Sequence, residues 1–107
     1  MSSSSIREQL PNRRASEVFD FEVDGLTYTA SFARFADGKI SEVFLNNHKS
    51  NSSADTNARD SAIAFSFAVQ HGADAEAIRC ALPRDAQGRA LGPLGVALDI
   101  IAGGIRR

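Results

Sequence analysis

The chain has 107 residues with 12 lysines and arginines, 13 aspartates and glutamates, two histidines, one cysteine and no tryptophan, and 43% of it is hydrophobic. Such a length buries roughly 60–70% of its unfolded surface, enough for one modest core, and excludes a large multidomain enzyme. A formal charge of −1 gives no electrostatic footprint for a non-specific nucleic-acid binder, and a lone cysteine excludes an internal disulfide, a CxxC redox pair and a thiolate-rich metal site. No apolar run approaches the ~18 residues that span a bilayer, and the first fourteen residues are polar where a signal peptide needs an apolar stretch. The expectation is a cytoplasmic protein that does not engage a membrane.

Residues 1–14 hold four consecutive serines, Pro11 and three arginines, and read as a disordered arm ahead of a single domain over 15–107. The arm's Arg7, Arg13 and Arg14 could also serve as a docking segment for an acidic partner. Next comes strict alternation, with Phe19, Phe21 and Val23 on one side and Asp20, Glu22 and Asp24 on the other, which is a half-buried strand. Asp24-Gly25 is a two-residue hairpin signal, and Leu26, Tyr28, Ala30 and Phe32 then share the apolar face of a second strand. After a turn at Phe35-Ala36-Asp37-Gly38, a third strand from Lys39 to Asn46 reads with Ile40, Glu42 and Phe44 on its apolar face and Ser41, Val43 and Leu45 opposite. Glu42 on that face either marks a strand edge or pairs with an arginine such as Arg34 across the turn, and the pairing is the expectation.

Asn47 to Ala54 is a polar loop before a long helix whose stripe is Ala58, Ala62, Phe65 and Val69, widened by Ile63 and Phe67 and ended by Gly72. So apolar a circumference predicts burial on more than one side. Asp74 caps a short second helix through Leu82, with Ile78, Ala81 and Leu82 facing inward and Pro83 as its stop. An exposed loop over 84–89 leads to Gly92-Pro93, which opens a third helix with the stripe Leu94, Ala97, Leu98 and Ile101, ended by Gly103-Gly104. The fold class expected is α+β, a three-stranded antiparallel meander followed by three helices packed on one sheet face (βββααα).

The densest group of side-chain donors is the loop before the long helix. Asn47, His48, Lys49, Ser50, Ser52 and Ser53 flank a helix N-terminus, whose free N–H groups and dipole favour a phosphate or carboxylate. The Lys49-Ser50 pair lacks the glycines of a phosphate-binding P-loop. His48 and His71 have no ligand-spaced partners, so no metal is expected; His71 suits the negative end of the helix dipole. Cys80, with Arg79 and Arg84 near it in sequence, reads as a buried or half-buried small hydrophobe rather than a nucleophile.

The run Arg34-Phe-Ala-Asp-Gly-Lys-Ile-Ser-Glu-Val-Phe-Leu45, the pair Lys49-Ser50, the helix from Ala62 ending Gln70-His71-Gly72, and Ala77-Ile78 with Leu82 resemble the TSCPD domain. That domain occurs near the C-terminus of class II, adenosylcobalamin-dependent ribonucleotide reductases and as short free-standing bacterial proteins; Gly92-Pro-Leu-Gly-Val-Ala-Leu-Asp99 is similar to the ending of the free-standing group. The resemblance covers about residues 17 to 101. The Ser-Cys-Pro-Asp motif behind the family's name is missing, and His48 and Asn51 stand where reductase chains carry glycines. Of these two, asparagine tolerates a left-handed backbone well. With Cys80 alone, the radical-forming cysteine and the substrate-reducing pair of a reductase cannot be present.

The resemblance therefore implies a fold and a partner without a catalytic residue or cofactor. The expected function is a small non-catalytic accessory or regulatory module, connected to nucleotide metabolism, that docks on another protein such as a ribonucleotide reductase or on a second copy of itself. The alternative is a nucleotide or other phosphorylated small molecule at the 46–53 loop. Nucleic-acid binding is disfavoured, because Ser53 to Asp60 carries two aspartates against one arginine where double-stranded RNA binders cluster lysines.

Overall fold

The computed structural model describes residues 17–103. The expected arm over 1–14, the start of the domain at 15, and the terminal Gly104, Arg106 and Arg107 lie outside the described residues. Three strands, β1 (Glu17–Val23), β2 (Leu26–Arg34) and β3 (Ile40–Asn47), precede three helices, α1 (Ser53–Gln70), α2 (Ala75–Ala81) and α3 (Pro93–Ala102). The sheet is antiparallel throughout, in the order β1-β2-β3, and α1 packs along β3, so the architecture is the α+β arrangement the alternation implied.

Local chemistry accounts for each junction. Asp24 and Gly25 both take positive φ, 53° and 78°, the two left-handed positions of a type I′ turn, and this fixes the β1–β2 register from Val23↔Leu26 to Glu17↔Phe32. Gly38 at φ 93° closes the β2–β3 turn by donating its N–H to Phe35 O at 2.9 Å. Gly72, at φ 102°, ends α1 in a Schellman motif: its N–H meets Val69 O at 3.1 Å and Ala73 N–H meets Ala68 O at 3.0 Å. Pro93 sits in the first turn of α3 as its missing donor permits.

The core lies between the inner sheet face and two helices. Phe19, Phe21, Tyr28, Ala30 and Phe32 meet Ala58, Ala62, Phe65 and Val69 of α1 and Leu94, Ala97, Leu98 and Ile101 of α3, with Phe21 stacked on Tyr28 at 5.5 Å. α2 contributes Ile78 and Leu82, half-buried against that core, while Ala81, expected inside, is exposed. Tight packing also reaches the 83–91 segment, which is ordered as a narrow hairpin by the Arg84↔Ala90 bridge and by Leu91 N–H to Pro83 O at 3.1 Å. Gly95 lets it lie against α3, since a Cβ there would meet Ala90 Cβ at 2.9 Å.

Two expectations about faces are corrected. In β3 the inner set is Ser41, Val43, Leu45 and Asn47, all buried, while Phe44 is 49% exposed. Each set of alternate residues holds two large apolar side chains, so hydropathy did not discriminate between them. An irregularity at Ala33/Arg34 also shifts the register, so that Ala33 faces Glu42 but Arg34 faces Ile40. Glu42 is buried, and Arg34 folds back on its own turn, donating to Gly38 O at 2.8 Å with its guanidinium over the Phe32 ring. In α1, Ile63 and Phe67 are 58% and 63% exposed, because one flank of the helix lies on the sheet and its opposite flank has no described element over it.

Polar residues on the inner flank of α1 explain which set of β3 turns inward. In an antiparallel edge strand, alternate residues point both main-chain groups away from their neighbour. Val43 is one of these: its N–H donates to Ser66 Oγ at 2.8 Å, and Ser66 Oγ–H donates to Val43 O at 3.0 Å. Along the same row, two residues before Val43, Gln70 Nε2 donates to Ser41 O at 3.0 Å, and four residues after it Asp55 accepts Asn47 N–H at 2.9 Å. Helix α1 thus seals the β3 edge with three buried polar side chains, a covering that prevents another strand from pairing there. No described helix is long and apolar enough to cross a membrane.

Candidate functional site

The loop before α1 organises around a residue that the sequence reading did not single out. Ser52 is the N-cap, accepting Asp55 N–H at 3.1 Å and donating to Lys49 O at 2.7 Å. Asp55, three residues on, turns its carboxylate back under the loop to accept Asn47 N–H at 2.9 Å and Asn51 N–H at 3.3 Å. It is 2% exposed, and the Asn47 N–H, working against the cost of burial and assisted by the Asn51 N–H and Arg59, holds its carboxyl below the usual carboxylate range. Asn51 takes φ 63°, the left-handed backbone that asparagine tolerates. The spacing Ser52-x-x-Asp55 is the available signal, a shortened relative of the capping box.

The six expected anion ligands are therefore only partly brought together. Asn47 is buried, with its Oδ1 accepting Lys49 N–H at 2.8 Å, and Ser52 is spent on capping; Lys49, Ser50 and Ser53 are exposed around the loop. His48 leaves the group, because β3 carries it onto the opposite face of the sheet. There its Nε2 lies 2.9 Å from Thr29 Oγ1, which in turn donates to Asp20 Oδ1 at 2.7 Å. Since the hydroxyl proton points to Asp20, His48 must be the donor to Thr29.

The same sheet face carries an apolar row. Val18 pairs with Ser31 and Ser31 with Phe44, so two large side chains, 63% and 49% exposed, stand on one rung of the sheet, on its two outer strands with only a serine between them. Sequence alternation obscured this row by placing Phe44 on the inner face. Among the described residues, no helix covers this side of the sheet, since α1 and α3 both pack on the core face.

Around Cys80 the structure is electrostatic. Cys80 itself is exposed, against the expectation of burial, with Sγ 3.7 Å from Glu76 Oε2. Its exposure follows from its place on the outer face of α2. Arg79 and Arg84 instead converge on Asp99 of α3, Arg79 at 2.8 Å and Arg84 through two bonds at 2.8 and 2.9 Å. Arg79 also grips Glu76, and Arg84 also donates to Gly88 O and Arg79 O. The Arg84 guanidinium, with help from Arg79 and against burial, holds the Asp99 carboxyl below its ordinary range. This clamp ties α2, the 83–91 hairpin and α3 together. His71 caps α1 as foreseen, with Nδ1–H to Phe67 O at 2.8 Å and its ring packed on Phe67.

A cleft of about 600 Å3 opens between the β2–β3 turn and the C-terminal ends of α1 and α3, with α2 as one wall. Its floor is Phe35, Ile40, Val69, Leu98 and Ile101, and its rim mixes Arg34 and Lys39 with Asp37, Asp74 and Glu76. The mixture of signs selects no ligand charge, and no group of three metal-ligating side chains occurs among the described residues. No family model, curated protein or solved structure matches this chain.

Proposed function

We propose that the chain is a small non-catalytic accessory or regulatory module that acts through protein–protein contacts in the cytoplasm. The resemblance to the TSCPD domain makes an adenosylcobalamin-dependent ribonucleotide reductase the first partner to test. The observation that supports docking is the Val18–Ser31–Phe44 row on the uncovered sheet face. Burying side chains of this size contributes about 1.5–3 kcal/mol each, so an exposed pair on one rung of the sheet is a free-energy source held for a partner.

A phosphate at the 46–53 loop ranks below this reading, because Asp55 already accepts two of the loop's N–H groups with a negative charge of its own. The docking reading is tested by the double variant Val18→Thr, Phe44→Thr. The variant should melt within a few degrees of the parent and lose at least tenfold in affinity for the reductase subunit. Equal retention of that subunit by parent and variant refutes docking through this face.

A further inference from the structure

The two edges of the sheet are treated differently. Along β3, the side chains of Gln70, Ser66 and Asp55 bond Ser41 O, both main-chain groups of Val43, and Asn47 N–H. Along β1, no described residue does so. Val23 and Leu26 flank the two-residue turn and form the hydrogen-bonded closing pair, so Phe21 and Phe19 likewise direct their main chain to β2. Val18, Asp20 and Glu22 then direct theirs outward, which leaves a row of donors and acceptors in β-geometry ready for another strand.

Charge narrows what that strand can be. Residues 17–24 hold Glu17, Asp20, Glu22 and Asp24 and no basic residue. Asp20 is tethered to Thr29, whereas Glu22 is exposed and has no side-chain partner among the described residues. A second β1 paired about Asp20 sets Asp20 against Asp20, and one paired about Phe21 sets Asp20 against Glu22; directly opposed like charges destabilise a ladder. In these two registers, the ones that overlap β1 most fully, a second copy is disfavoured and a cationic strand is favoured.

We propose that the β1 edge takes up an extended segment of a partner protein as a fourth, antiparallel strand, with lysine or arginine opposite Glu22 and an apolar residue opposite Val18. Because the incoming strand runs against β1, the apolar residue follows the cation by four positions. Main-chain bonds at Val18, Asp20 and Glu22 supply the attachment, the Glu22 pair sets the charge preference, and the Val18 contact extends the apolar row of the open face. This inference rests on the docking function proposed above and specifies the chemistry of its partner.

The probe is acetyl-Thr-Lys-Thr-Thr-Thr-Val-Thr-amide, titrated into the 15N-labelled full chain beside the same peptide with glutamate for lysine. Saturable shifts and slowed hydrogen exchange are expected at the Val18, Asp20 and Glu22 amides, with the lysine peptide about fivefold tighter. Glu22→Lys should reverse that preference. The inference is overturned if neither peptide affects those three amides, or if Glu22→Lys leaves the preference unchanged. Shifts confined to Ser31 and Phe44 would overturn the strand addition while leaving docking on the open face standing, whereas failure of docking itself appears as an unaltered Val18→Thr, Phe44→Thr variant.

Discussion

Removing one hydroxyl should unseal the β3 edge. Ser66→Ala deletes the oxygen that accepts Val43 N–H at 2.8 Å and the proton given to Val43 O at 3.0 Å, in a side chain that is 7% exposed. Each bond contributes about 0.5–1.5 kcal/mol net, and an orphaned buried group costs more, about 1–3 kcal/mol. Alanine returns roughly 0.5 kcal/mol of helix propensity. The expected loss is about 2 kcal/mol, which in a domain of this size lowers Tm by roughly 10 °C. Urea unfolding followed by circular dichroism measures it, with Ser61→Ala as the control. Ser61 lies on the same helix but only back-bonds Ala58 O at 2.8 Å from a half-buried position, so its removal should stay within ~0.5 kcal/mol. Faster amide exchange at Val43 should accompany the Ser66 loss. Equal stability of the two variants refutes the sealing role.

The Asp99 clamp sets a pH dependence of definite sign. Its folded pKa is depressed chiefly by Arg84, so its contribution is fully present above the unfolded value near 3.9 and disappears as pH falls through the folded value. The stability gap between parent and Asp99→Asn should accordingly be constant from pH 5 to 8 and shrink below about pH 4, as read by urea titrations across that range. Gly95→Ala should destabilise in the same assay, because a Cβ 2.9 Å from Ala90 Cβ overpacks the hairpin by about 1–3 kcal/mol, more than the ~1 kcal/mol gained in helix propensity. Inorganic phosphate titrated to millimolar levels should leave the Lys49 and Ser50 amides unshifted, since Asp55 holds that end of α1. Saturable shifts there would restore the phosphate reading.

Much of the fold was legible because its signals are local. Asp24-Gly25, Gly72 and Pro93 each state a backbone requirement that few other residues meet, and Ala58, Ala62, Phe65 and Val69 trace one stripe at helical spacing. The β3 faces were not legible, because what decides them is the demand of the strand's own main chain for partners on α1. That demand buries Asp55, Ser66 and Gln70, which hydropathy assigns to water, and leaves Phe44 outside. Asp99 was missed for a related reason: its two arginines are 20 and 15 residues away and meet it only after α2 and the 83–91 hairpin have folded over α3. At the candidate loop the residue types were read correctly as donors and acceptors. Their orientation, with His48 on one sheet face and Asp55 beneath the other, depends on strand register that spacing alone does not carry.

The claim that partners dock on the uncovered sheet face and its β1 side is tested most directly by site-specific photocrosslinking. A benzophenone side chain is placed at position 18, 44 or 57 in turn, Asn57 being exposed on the helical layer. A single partner species crosslinked from 18 and 44 and absent from 57 is the result expected. Equal crosslinking from all three positions, or crosslinking from 57 alone, would contradict it.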